Sequence, residues 1–293
     1  MLWSDCYPIL NRKPRFDRAP TFERQSSIPK IIHQIYFSDK LMPAEMSDYI
    51  NHLKLQNPGW EHRLYDEPAM ADLIKSYYGG FVDRQYRRLN PAYGAALADF
   101  FRYAVLYKDG GLYLDIKSIA RRPLDIVLRP DDQFLLSQWN NQRGARYQGW
   151  GCHPEVQHIK SGEFLQWYIA SSPGHPFLKA VIENMIRNID VYNPGLHGTG
   201  QLGVLRVTGP IAYSLAIAPV LERYPYRLVD AHEDLGLSYS IYGNDAHGSI
   251  FRDHYSRLTE PVVHLSRLKT VTAFGFNAAR SLWRAAKRLG ART

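Results

Sequence analysis

Cysteine is nearly absent. Cys6 and Cys152 are the only two in 293 residues, too few for a disulfide framework and without the spacing of a metal site, so a reducing compartment is expected. Long apolar runs are missing as well. The most apolar window, Val204 to Leu221, is interrupted by Gly209, Pro210 and Pro219 and falls short of the about 20 clean residues that cross a bilayer. The opening residues, MLWSDCYPILNRKPRF, show no basic leader followed by an apolar stretch, and no secretory signal is expected. There is no Asn-x-Ser/Thr sequon, no repeat and no low-complexity tract. No G-x-G-x-x-G follows the first apolar strand and no P-loop occurs, which counts against dehydrogenase and NTPase chemistry. Zinc-finger spacing and the RNP pattern are missing too, so no nucleic-acid partner is expected. Together these absences predict a cytoplasmic protein.

What is present is an ordinary globular composition, 45% hydrophobic and 22% charged, in a chain long enough to bury a core as one large domain. The formal charge of +8 favours an anionic partner, such as a phosphorylated small molecule or an anionic membrane face. Residues 1–27 are rich in proline and charge without periodicity and read as an arm. The domain is expected over 28–271, beginning with the β-rich run KIIHQIYF from Lys30 to Phe37. A helix from Ala44 to Leu55 follows Pro43, then the turn NPGW and a strand HRLYD that ends at Asp66. Alternating strand and helix predicts an α/β fold, a mostly parallel sheet flanked by helices with helical additions, and ligands in such sheets sit beyond the carboxyl ends of the strands. Further on, QFLLSQW, EFLQWYIAS, RLVD and PVVHL read as strands, and PFLKAVIENMIRNI and PIAYSLAIAPVLERY as helices. In 272–293, Ala279, Leu282, Trp283, Ala286 and Leu289 recur at helical spacing opposite Arg280, Arg284, Lys287 and Arg288. That pattern predicts a basic amphipathic helix, packed on the domain or lying on a membrane surface.

One stretch concentrates chemistry: DFFRYAVLYKDGGLYLDIKS, Asp99 to Ser118. Asn90 and Pro91 are suited to open a helix that runs to about Lys108, where Gly110 and Gly111 supply a left-handed stop. Asp99 and Arg102 are three apart and share a helix face; taken alone, they would be a surface ion pair of little worth. The returning strand changes that reading. GLYLDIK alternates Leu112, Leu114 and Ile116 against Tyr113, Asp115 and Lys117, which puts a carboxylate and an ammonium where ligands bind.

In this order KIIHQIYF, NPGW-x-HRLYD, ALADFFRYAVLYKDGGLYLDI, SPGHPFL and TGP resemble the DXD sugar transferases of glycosyltransferase family 32. That family includes yeast-type α-mannosyltransferases, bacterial capsule and lipopolysaccharide sugar transferases and, more distantly, clostridial toxin glucosyltransferase domains. The resemblance runs from about Ile28 to Leu178 and thins beyond it. It implies a GT-A fold, a nucleotide-sugar donor (UDP-hexose or GDP-mannose), a saccharide or lipid-linked acceptor and transfer with retention, in a setting of cell-surface polysaccharide synthesis. Asp99 and Arg102 match positions that grip donor-sugar hydroxyls, and Asp115 matches the first acid of the DXD motif. Tyr36 lies where relatives often place Trp, ready to stack on a nucleobase or simply to pack. His33, Gln34, Asp66 and Gly111 fall on the expected donor pocket.

The departure from the family is at Lys117, where the second DXD acid normally binds Mn²⁺ or Mg²⁺ with the diphosphate. A hard oxygen ligand is lost. An ammonium about 4 Å from a divalent ion at effective dielectric 20 would repel it by roughly 8 kcal/mol before phosphate screening. Three readings stay open: Lys117 neutralises the leaving diphosphate itself; or Lys117 turns away and Asp115 holds a metal with a C-terminal group, His247, His254 or His264, with Asp245 and Asp253 nearby; or the fold persists without efficient catalysis. Trp139, Asn140, Asn141 and Trp150 are candidates for an acceptor cleft. The rival of another class is a non-catalytic nucleotide-sugar or carbohydrate-binding protein on the same scaffold.

Overall fold

The computed structural model describes residues 18–36, 41–241 and 258–265. The arm's first 17 residues, His247, His254, Asp245, Asp253 and the expected helix of 272–293 lie outside the described residues. In chain order the elements are β1 (Ile31–Ile35), α1 (Ala44–Gln56), β2 (Glu61–Tyr65), α2 (Glu67–Tyr86), α3 (Gly94–Asp109), β3 (Gly111–Leu114), β4 (Ile119–Ala120), α4 (Leu124–Val127), β5 (Phe134–Leu136), β6 (Tyr168–Ser171), α5 (Pro176–Val191), α6 (Pro194–His197), α7 (Gly200–Val207), α8 (Pro210–Ile217), β7 (Arg227–Leu228) and β8 (Leu237–Ser238). A six-stranded sheet has the order β2-β1-β3-β6-β5-β7. Every pairing is parallel except the two made by β6, which runs against β3 and β5. The sheet is therefore mixed, with one reversed strand in an otherwise parallel set.

Side-chain alternation in the strands divides the core into two layers. Ile35, Tyr113, Phe134, Leu136 and Ile169 point to the face covered by α2, α3, α5, α7 and α8. Ile32, Leu112, Leu114, Leu135 and Ala170 point to the other face, against Leu53 of α1 and Leu124 and Val127 of α4. Between sheet and outer helices lies α3, apolar almost all round: from Ala96 to Tyr107 only Ala98 is not buried. A helix so enclosed buries whatever polar residues it carries, and this decides the fate of Asp99 and Arg102.

Local chemistry sets several boundaries. Asp66 closes β2 and caps α2, its carboxylate accepting from the Ala69 N–H at 2.9 Å. Asn90 does not cap a helix as expected; α3 starts at Gly94 with Tyr93 before it. The reason is that Asn90 is engaged elsewhere. Its backbone N–H donates to Val262 O at 2.8 Å, its amide donates to Pro261 O at 3.0 Å, and its side-chain oxygen folds Pro91 and Ala92 into a turn. The strand expected over Glu163–Ser171 is ordered as strand only from Tyr168, and PVVHL contributes only a single bridge, Leu89 to Val263. PIAYSLAIAPVLERY begins as α8 and tightens into a 3₁₀ turn over Ala218–Arg223 at Pro219. Residues of the arm that are described pack on α5: the N–H groups of Arg18 and Ala19 donate to Glu183 at 2.7 and 2.6 Å, and Arg18 pairs with Asp190. By length and composition alone the segment Gly200–Arg223 would suffice for a membrane span, contrary to the sequence expectation, but it is broken into α7, α8 and the 3₁₀ turn, and its most apolar 18-residue stretch is mostly buried within the fold.

The glycine stop is tightly built. Gly110 and Gly111 both have positive φ, 68° and 101°. A Cβ on Gly111 would stand 2.5 Å from Ile31 O in the neighbouring strand, and one on Gly110 would stand 2.5 Å from Pro173. Gly111 thus serves backbone packing between β1 and β3, which accounts for its presence without any contact to a donor. Gly111→Ala is expected to destabilise the fold by about 3 kcal/mol in chemical denaturation, from positive-φ strain and a backbone clash.

Candidate functional site

Beyond the carboxyl end of β3 lies a cavity of about 430 Å³, whose lining includes Asp99, Arg102, Asp115 and Lys117. The four residues singled out by the sequence therefore meet in one space. They arrive from two places. Asp99 and Arg102 come from one face of α3, and Asp115 and Lys117 from the turn after β3. Lys117 does not reach this face through continued strand alternation, because β3 ends at Leu114. The Asp115 N–H makes the last bond across to Trp167 O at 2.8 Å, and the Ser118 N–H then closes a turn on Asp115 O.

Arg102 is the hub. Its guanidinium donates to Gln166 O at 2.7 Å and lies 3.3 Å from Asp99 and 3.4 Å from Asp115. Its carbon sits 4.5 Å from the centre of the Tyr113 ring, a cation–π contact between two buried side chains. Asp99 is only 3% exposed and accepts from the Thr208 hydroxyl at 2.9 Å, while Asp115 accepts from the Tyr113 hydroxyl at 2.9 Å. Both carboxylates stand farther from the guanidinium than a tight charge-assisted bond of about 2.7–2.9 Å. Lone pairs are left for ligand hydroxyls.

Burial pushes the Asp99 carboxyl up to about 6; Arg102 and the Thr208 hydroxyl pull it down, and Asp115 adds to the rise. The lining also holds groups that sequence reasoning missed: His153, Glu163, Gln166, Gln201 and Tyr239, beside the anticipated Trp139 and Trp150. Glu163 is buried, accepts from the Trp139 indole N–H at 3.0 Å, and lies 3.2 Å from His153 Nε2. The Glu163 hydrogen bond raises the pKa of His153. Gly151, at φ 72°, approaches Glu163 so closely that a Cβ there would fall 2.8 Å from its side chain. A second cavity, about 250 Å³, shares the wall of Trp139, Leu165, Trp167 and Tyr239 and is bordered by Asn140 and Arg146. Asn141 is used structurally, donating to Trp150 O and Ser161 O.

The remaining anticipated residues are not brought to the cavity, and each has another partner. His33 is fully buried; its Nε2–H donates to Gly110 O and its Nδ1 accepts from the Tyr65 hydroxyl, both at 2.9 Å, and burial lowers its pKa to about 4. It latches β1 to β2 and to the glycine turn. Gln34 accepts from His62 at 2.8 Å, Asp66 caps α2, and the Tyr36 hydroxyl donates to Leu41 O beside Met46, Ile50 and Ile116. His264 is exposed and its backbone N–H is bound to Arg88 O at 2.7 Å.

A divalent cation fits these residues poorly. Asp115 offers a single carboxylate, one oxygen of which is shared by Tyr113 and Arg102, the next cavity-lining residue in the turn is an ammonium, and among the described residues no group of three or more His, Cys, Asp or Glu is arranged to hold a metal. Octahedral oxygen coordination needs more than this.

Residues 43–137 match the family model described as "Glycosyltransferase sugar-binding region containing DXD motif". An initiation-specific α-1,6-mannosyltransferase of Schizosaccharomyces pombe is 26% identical over 219 residues, covering 67% of this chain and 49% of its own length. Inositol phosphoceramide mannosyltransferase 1 of the same yeast is 27% identical over 161 residues, 54% of this chain and 43% of its own. The chain spans about half the length of these curated relatives. Among solved structures, the UDP-bound glycosyltransferase domain from the YGT toxin covers 74% of this chain and 82% of that one, with a TM-score of 0.51 and 9% identity; this likeness speaks for a shared GT-A fold. The resemblance to the DXD sugar transferases that the motifs suggested is shown.

With the folded-state pKa of Asp99 above its ordinary value of 3.8, the protonated acid is the form that folding favours. Its contribution to stability is fully present below about pH 4 and is lost as pH rises through about 6. A carbon-detected titration is expected to place the Asp99 carboxyl midpoint near 6, and Asp99→Asn is expected to flatten the stability profile between pH 4 and 6.

Proposed function

We propose that the chain is a retaining glycosyltransferase that moves a hexose from a nucleotide-sugar donor to a saccharide or lipid-linked acceptor, in cell-surface polysaccharide synthesis. The observation that carries this reading is the convergence of Asp99, Arg102 and Asp115, all loosely ion-paired, at one end of a ligand-sized cavity. Carboxylates that accept only, beside a guanidinium that donates only, match the alternating donors and acceptors of sugar hydroxyls. The family match over residues 43–137 supports the same conclusion, and the curated relatives, both named as mannosyltransferases, make mannose the first sugar to test.

In this reading Asp99 and Arg102 hold the donor hexose and Asp115 fixes it next to the diphosphate. Trp139 and Trp150, whose rings meet edge to face at 5.0 Å, offer apolar faces for the acceptor sugar elsewhere in the lining. Retention then follows from attack on the face the leaving group departs from, with alignment and charge stabilisation supplying the rate. Peripheral contact with the inner membrane face through the basic pattern of 272–293 completes the proposal.

Turnover of a panel containing GDP-mannose and UDP-glucose tests it. Asp99→Ala and Arg102→Ala are each expected to lower transfer at least 100-fold, the order seen when a positioned polar group is removed. Near-normal turnover in both variants would refute the assigned grip. Removal of 272–293 is expected to reduce binding to anionic vesicles several-fold in a flotation assay while the soluble activity persists; unchanged vesicle binding would refute the membrane contact.

A further inference from the structure

Lys117 is held as firmly as the acids around it. Its ammonium donates to the Tyr239 hydroxyl at 3.0 Å and lies 4.3 Å from the centre of that ring. Its carbonyl accepts from the Ile241 N–H at 2.7 Å, and the next residue's hydroxyl, on Ser118, donates to Tyr239 O at 2.8 Å. Directly after the turn, β4 pairs with β8, Ile119 opposite Ser238 and Ala120 opposite Leu237. The turn bearing the lysine and the segment bearing the tyrosine are thus joined by a short antiparallel ladder and three further hydrogen bonds, and both side chains line the cavity. Among the described residues no carboxylate is ion-paired with Lys117, whereas Arg102 is flanked by two. Its positive charge faces a space that already contains the sugar grip.

We infer that the Lys117 ammonium, positioned by Tyr239, is the resident cation of this site, and that donor binding and transfer proceed without a divalent metal. The inference rests on the proposed transferase reading and concerns the same cavity. The poor fit of a metal at Asp115 and the fixed ammonium at Lys117 are two sides of one arrangement: an ion that must find oxygen ligands meets a like charge instead. A lysine is a competent phosphate partner as a point charge. As the bond from the anomeric carbon to the phosphate oxygen breaks, its electron pair goes to that oxygen, where Lys117 offsets the added negative charge. The acceptor oxygen forms the new bond to the same carbon, and its hydroxyl proton passes to the departing phosphate. No redox partner is required. Lys117 is a catalytic residue in this scheme because it meets the diphosphate, and Tyr239 is a positioning residue because it acts through Lys117.

The test combines binding and turnover in the full chain. Calorimetry with GDP and UDP, each in excess EDTA and in Mn²⁺, is expected to give for the preferred nucleotide a Kd that differs less than threefold between the two conditions. Lys117→Ala is expected to weaken that Kd at least tenfold and to lower turnover of the matching nucleotide sugar at least 100-fold, with Lys117→Arg recovering part of both. Tyr239→Phe, which keeps the ring and removes the hydroxyl, is expected to lower kcat about tenfold with the donor KM within twofold. Lys117→Asp is expected to be as weak as the alanine variant in EDTA and to gain at least tenfold in nucleotide affinity when Mn²⁺ is added. A wild-type chain that loses its nucleotide affinity or turnover more than tenfold in EDTA and regains it with Mn²⁺ overturns the inference while leaving the transferase reading standing. Unaltered nucleotide affinity in folded Lys117→Ala, checked by near-ultraviolet circular dichroism, overturns it as well. Failure to bind either nucleotide under any condition overturns both readings.

Discussion

The arrangement of this site depends on one buried guanidinium. Arg102 sits on a helix enclosed by core, 6% exposed, where an unpaired charge would be prohibitive. Its surroundings repay the burial through four partners: the Gln166 carbonyl, the Asp99 and Asp115 carboxylates and the Tyr113 ring. Three separate segments are drawn to it as a consequence. The helix brings Asp99, the strand end brings Tyr113 and Asp115, and the irregular stretch before β6 brings Gln166. Removing one partner would leave charge stranded in a low-dielectric interior, so this side of the cavity is held by the same interactions that keep the core neutral.

The reversed strand matters for the same reason. Because β6 is antiparallel to β3, with Leu114 opposite Tyr168, the residue just past one strand's end faces the residue just before the other's start. Asp115 thereby meets Trp167 across the last ladder bond, and Gln166 lies one residue farther, over Arg102. A parallel partner would have carried those residues to the opposite end of the sheet. The break that shortens the expected strand of Glu163–Ser171 has a use: residues 163–167 keep only isolated bonds to their neighbours and supply Glu163, Leu165, Gln166 and Trp167 to the cavity lining.

Much of this was legible before any coordinates, and the exceptions have physical causes. The i, i+3 spacing of Asp99 and Arg102 showed that they share a face, but spacing is blind to burial; only the apolar residues on every other side of α3 turn a surface pair into an enclosed one. Alternation along GLYLDIK correctly grouped Asp115 with Lys117, although Lys117 reaches the cavity through a turn. Asn90 carried a good capping signature and was diverted by contacts to Val262 and Pro261, some 170 residues away, which no local pattern contains. His33 and Gln34 occupy the strand where a pocket wall was expected, yet both His33 ring nitrogens and the Gln34 side-chain oxygen are spent joining β1 to its neighbours. Glu163 and His153 gave no signal in sequence, since their meeting depends on loop closure around Gly151, where glycine conformation and close approach coincide. Tyr239 is likewise brought in by long-range pairing.

Charge balance explains why a lysine can stand at position 117. The cavity lining holds three acids, Asp99, Asp115 and Glu163, against two fixed cations, Arg102 and Lys117, a formal charge of −1 before His153 titrates. Were residue 117 an acid, four acids would face one cation, a formal −3, and a dianionic diphosphate could approach only with a metal ion to reverse the field. The substitution removes a negative charge and adds a positive one at the same point, which is the change a bound dication would bring to a site with an acid there. Mobility is the difference. An ion exchanges with solvent and needs several oxygen ligands, whereas the ammonium is covalently tethered and oriented by the Tyr239 hydroxyl and ring, so its electrostatic contribution to the cavity is set when the chain folds.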